Sequence, residues 1–122
     1  MCVIILVEDE KFVPDAEILR KCQEDSGEGV GIGWYQDNVP HFKKGMKGPD
    51  EAMKFIVDQK IPLPYVLHFR KATVSNAMEY LTHPFRISKE GLNDLEGSAP
   101  EGLLFHNGTF MQWKRYALQL AL

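Results

Sequence analysis

The chain has 122 residues, 44% hydrophobic and 25% charged, and 14 basic against 17 acidic residues give a net charge of −3. That length predicts a single domain, residues 1–122, of ordinary globular composition. No basic run extends beyond Lys43-Lys44, and the longest apolar run is Val3 to Val7 with no basic stretch ahead of it, so nucleic-acid binding, a membrane span and a signal peptide are all excluded as readings. With no leader, Cys2 and Cys22 are expected to stay reduced and the expected compartment is the cytoplasm.

The β-branched run Val3-Ile4-Ile5-Leu6-Val7 predicts a strand, central and buried because it is apolar on both faces. Asp15 to Cys22 predicts a short helix with Pro14 ahead of it. Glycines then stand at every second position from Gly27 to Gly33 before Trp34 and Tyr35. A strand with that pattern has one face without side chains and lets another group approach its backbone closely. Asn38 to Lys44 reads as a turn into a second strand, so residues 30–44 predict a hairpin. Gly48-Pro49-Asp50 breaks the chain and opens a helix from about Glu51 to Gln59. Pro62 and Pro64 lead into Tyr65-Val66-Leu67-His68-Phe69-Arg70, an alternating segment that predicts a strand. Residues 86–102, with three glycines and mixed charges, predict a long loop. Gly102 to His106 predicts a short buried strand closed by Asn107-Gly108. From Thr109 the apolar residues recur at helical spacing to Leu122. Phe110, Trp113, Leu120 and Leu122 would need cover, which predicts a homo-oligomer or a complex with a larger partner.

The chemistry starts at Cys2. Removal of Met1 would leave Cys2 carrying both a thiol and a free α-amine, a nucleophile and a base on one residue. Three segments stand beside it in the sequence: His68-Phe69-Arg70-Lys71-Ala72-Thr73, Thr82-His83-Pro84-Phe85 and Phe105-His106-Asn107-Gly108. Arg70 at a strand end offers a planar fork suited to a carboxylate, or is simply a surface charge. Asn107-Gly108 alone is a turn signal; as a functional pair, its side-chain amide and backbone N–H would stabilise a developing oxyanion. His83-Pro84 alone reads as a packed turn. The four histidines and two cysteines lack metal-ligand spacing, so no metal site and no cofactor is expected.

Taken in order, the N-terminal Cys, Glu28-Gly29-Val30-Gly31-Ile32-Gly33-Trp34, His68 to Thr73, Thr82 to Phe85 and His106-Asn107-Gly108 resemble the class II glutamine amidotransferases of the N-terminal nucleophile (Ntn) hydrolase superfamily. The resemblance spans roughly residues 2–120. It implies an α+β fold, an αββα sandwich of mostly antiparallel sheets. It also implies an amide hydrolase in which Cys2 attacks a glutamine side-chain amide and releases ammonia through a thioester, with an ammonia-accepting synthase as the partner. Carried over by motif, Cys2, Asn107 and Gly108 would be catalytic, while Arg70, Thr73 and His106 would line the substrate pocket. The family's Asp-Gly turn is Glu28-Gly29 here, and Val74-Ser75-Asn76 follows Ala-Thr where the family has other residues. The family's downstream acidic residue, which binds the substrate amine, has no counterpart before Leu122. The C-terminal part of the family domain is therefore expected to be missing. These departures motivate the alternative, a catalytically inactive binding or inhibitory protein that retains the Ntn fold.

Overall fold

Val3–Val7 forms strand β1, and each of its residues pairs antiparallel with Tyr65–Phe69, strand β4, in the register Val3↔Phe69 to Val7↔Tyr65. The computed structural model describes residues 2–25, 27–71, 79–88, 90–91 and 93–107. Between these two strands come helix α1 (Ala16–Asp25), strand β2 (Val30–Gln36), strand β3 (Val39–Met46) and helix α2 (Pro49–Asp58). Strands β5 (Phe85–Arg86), β6 (Glu96–Ser98) and β7 (Leu103–Leu104) follow. The main sheet runs β1-β4-β2-β3-β6 with every neighbouring pair antiparallel, and β5 pairs with β7 in a separate two-stranded sheet. The protein is thus α+β with a mostly antiparallel sheet.

Local chemistry accounts for the element ends. Asp15 caps α1, its Oδ1 accepting the Ile18 N–H at 2.9 Å, and the helix runs past the expected Cys22 end to Asp25. Helix α2 opens at Pro49, earlier than expected, since proline fits a first helical position. The β2–β3 hairpin turns through Asp37 and Asn38, both at positive φ, the geometry that matches the twist of the flanking strands. The Leu63–Pro64 and His83–Pro84 peptides are cis.

Alternation gives the sheet two unlike faces. One carries Val7, Val30, Ile32, Met46, Leu67 and Phe69 into a core with Leu19 of α1 and Ala52 of α2. The other carries Ile4, Leu6, Val66, His68 and the glycine row, and it is met by the segment around β5 and β7. A Cβ on Gly31 would lie 1.5 Å from the His83 carbonyl oxygen, and one on Gly33 would lie 2.9 Å from the Phe105 ring. The glycine row therefore does what its spacing predicts: it admits the main chain and an aromatic ring of another layer. Thr82 pins that layer further, its Oγ1 accepting the Gly45 N–H at 2.8 Å and donating to the Glu79 carbonyl at 2.7 Å. The Lys44 ammonium lies 5.0 Å over the Phe85 ring.

Three expectations are corrected. Among the described residues β1 is an edge strand, not a central one, and only one of its faces is packed. Ile4 and Leu6 are 38% and 56% exposed, because His83 and Phe105 of the second layer lie over β2 and β4 and leave β1 open. Residues 86–102 are not all loop: Glu96–Ser98 joins the sheet against His41–Lys43, a polar three-residue strand with no periodic signal to reveal it. The expected buried strand at 102–106 shrinks to Leu103–Leu104, with Leu104 and His106 exposed. Its partner β5 is only two residues long, and Phe105 leaves the ladder to lie over Gly33. The expected helix from Thr109, with Phe110, Trp113, Leu120 and Leu122, lies outside the described residues.

Candidate functional site

The end of β4 gathers the site. Beyond the last ladder pair, Val3↔Phe69, the two chains stay together: the Lys71 backbone N–H donates to the Cys2 Sγ at 3.3 Å, and the thiol lies 3.5 Å from the Lys71 carbonyl oxygen. Alternation along β1 and β4 puts Ile4 opposite His68 on the glycine-row face and carries Cys2 and Arg70 toward the same side. On its other flank Arg70 pairs with the extension of β2. Its N–H donates to the Gly29 carbonyl, and its carbonyl accepts from the Glu28 N–H, both at 2.9 Å. Cys2, Arg70 and Glu28-Gly29 thus stand side by side across one end of three strands. Arg70 is buried at 4% exposure.

Two residues before Arg70, His68 is fully buried on the same face. Its ring lies 3.9 Å, centroid to centroid, from that of His83, and 6.4 Å from that of Phe105. Its Nε2 is 3.1 Å from the His106 carbonyl oxygen. A carbonyl can only accept, so Nε2 carries the proton. Burial pushes the His68 pKa down, and the nearby Arg70 and His106 add to that lowering against the bond to the His106 carbonyl. Burial likewise pushes His83 down to about 3, and the basic groups around it, His68, His106, Arg70 and Lys44, add to the lowering. Both imidazoles are therefore neutral at pH 7.

Of the residues expected in a site, Cys2 and Arg70 are brought together at the strand end, and His106 is tied to the same strand through His68. Asn107 follows His106 and is exposed. Gly108 and Thr73 lie outside the described residues. In the sequence His68 stands only within a motif segment, and His83-Pro84 reads as a packed turn. The period-two spacing of His68 and Arg70 puts both on one face, and that was the available signal. The Cys2–Lys71 contact is between a side chain and the main chain, so no residue type announces it. Among the described residues no cluster of His, Cys, Asp and Glu could hold a metal ion, and no helix is long and apolar enough to cross a membrane.

The arrangement offers a thiol with an N–H donor at its sulfur, on the strand next to the one that carries the buried Arg70. That combination suits attack on a carbonyl of a substrate carrying a carboxylate. Comparison with models of protein families, with curated proteins and with solved structures finds no match.

Proposed function

We propose that the chain is an amide hydrolase of the glutamine amidotransferase type. Cys2, freed of Met1, attacks the side-chain carbonyl carbon of glutamine while its α-amine takes the thiol proton. The C–N bond breaks, the proton passes to the leaving nitrogen, and ammonia departs. Water then cleaves the γ-glutamyl thioester and releases glutamate. Arg70 grips the substrate α-carboxylate, Asn107 and Gly108 hold the oxyanion, and Thr73 and His106 line the pocket. The observation that carries this reading is the seating of the Cys2 sulfur on the Lys71 N–H at 3.3 Å, at the strand end that bears Arg70.

In the same reading, the β5–β7 pair belongs to the second sheet of an αββα Ntn-hydrolase sandwich. The packing of His83 and Phe105 against the glycine row supports this, because sheet-on-sheet contact needs an open face. The released ammonia goes to a partner synthase in the cytoplasm, and the chain works as an oligomer or within a complex.

The test pairs intact mass with turnover. Protein lacking Met1 should convert glutamine to glutamate and ammonia, and Cys2→Ala should not. Equal rates from the two proteins, or no turnover by protein shown to begin at Cys2, would sink the proposal.

A further inference from the structure

We infer that His68 is a positioning residue that fixes the oxyanion side of the site, holding Asn107 in place through the carbonyl of His106. The inference rests on the glutaminase reading for its catalytic meaning, but its structural part stands alone.

His68 is an uncommon choice for its place. It is fully buried on a strand, between Val66 and Arg70 on the same face and opposite Ile4. A leucine would fill such a position without desolvating two ring nitrogens. One of those nitrogens, Nδ1, is buried with no hydrogen-bond partner among the described residues. Leaving a buried polar atom unsatisfied costs stability, so packing alone does not account for an imidazole here. What the imidazole supplies that leucine cannot is the Nε2–H on the His106 carbonyl at 3.1 Å.

That bond falls where the backbone needs it. Strand β7 ends at Leu104, and from Phe105 the chain leaves its ladder. The segment is then pinned twice from β4 and β2: the Phe105 ring lies against Gly33 and near the His68 ring, and the His106 carbonyl is held by His68. Asn107 is the next residue. An oxyanion donor works only when held where charge develops, and displacement by about 1 Å can cost about 100-fold in rate. Because His68 and Arg70 are two residues apart on one strand face, β4 would set the distance between the carboxylate grip and the oxyanion donor. Neutrality of the ring suits this role, since burial and the nearby Arg70 guanidinium disfavour its charged form while the His106 carbonyl fixes the proton on Nε2.

The experiment compares the full-length protein with His68→Leu, His68→Gln and His68→Asn. The glutamine amide can reach the Nε2 position; the asparagine amide reaches only the Nδ1 position. For glutamine hydrolysis, His68→Leu and His68→Asn should lower kcat by about 10- to 100-fold with KM changed by less than about threefold, while His68→Gln stays within about threefold of wild type in both. A role in packing alone would instead make the apolar His68→Leu the mildest of the three. The second readout needs no activity. The backbone order parameter of the Asn107 N–H should be lower in His68→Leu and His68→Asn than in wild type, and restored in His68→Gln. If wild type fails to turn over glutamine, the function falls, and the order parameters alone decide the positioning claim. An unchanged order parameter at Asn107 in His68→Asn, or His68→Gln as impaired as His68→Asn, overturns it. Should His68→Leu not fold, the Gln and Asn pair gives the same decision.

Discussion

A proton is expelled from His83 by its surroundings. Its ring is buried against His68 with Arg70, Lys44 and His106 nearby, and its pKa falls to about 3 from 6.5. In the unfolded chain the same ring protonates near its ordinary value. Between about pH 6.5 and pH 3 the unfolded state therefore binds more protons, and folding stability is lost as pH falls through that window. One such histidine contributes a slope of at most about 1.4 kcal/mol per pH unit. His68, whose pKa is also lowered, adds to it in the same direction. Urea unfolding at pH 7 and pH 4.5 should show His83→Phe, which keeps a ring against His68 but cannot titrate, losing less stability than wild type between the two. Equal losses would mean that His83 carries no protonation penalty. None of this was legible in the sequence. A His-Pro step reads as a turn, and the burial that sets the pKa comes from a strand distant in the chain.

The glycine row of β2 was the element most fully written in the sequence. Its alternation announced a bare face and a close neighbour, and both are present. What it could not announce was the neighbour's identity, because the atom over Gly31 is a backbone oxygen, which every residue possesses. The two contacts predict unequal responses. Gly31→Ala would force a methyl into the His83 carbonyl oxygen, which is main chain and anchored through Thr82. Gly33→Ala would meet the far edge of the Phe105 ring, which can turn aside. Gly31→Ala should therefore cost about 3 kcal/mol or more and Gly33→Ala about 1 kcal/mol, as overpacking of rigid and of yielding sites differs. Chemical denaturation of both variants checks the order. Strand β1 shows the opposite failure of sequence reading. Val3 to Val7 spelled burial correctly for Val7 and its core-facing neighbours, but an apolar run does not say how many sheet neighbours it has. Ile4 and Leu6 are exposed in consequence.

At the scale of the molecule, the sheet divides labour between its faces. The helix-covered face is apolar and closed around Leu67 and Phe69; the other carries the glycine row, His68 and Arg70 beside Ile4, Leu6 and Val66, and holds the candidate site. Leu67→Ala should cost about 2–5 kcal/mol, the range for a leucine removed from a filled core, while Leu6→Ala on the exposed edge should cost less than about 1 kcal/mol. Urea midpoints with unchanged slopes would confirm the asymmetry, and similar losses would mean that Leu6 is covered in solution. The α+β class and the mostly antiparallel sheet were what the family resemblance implied; the strand pattern by itself marked only the hairpin at residues 30–44. The two-layer cover was not readable from it, since it is built from two-residue strands and a turn that no pattern marks. Arg86 gives that cover a further property. It stands at the entrance of the stretch that leads through β6 to Glu101, and its guanidinium bonds Glu101 at 2.9 Å and Asp94 at 3.4 Å. The excursion is therefore fastened at its mouth by side chains as well as by the backbone. A peptide bond severed between Asp94 and Glu101 would leave a carboxylate on each side of the cut bonded to the same guanidinium.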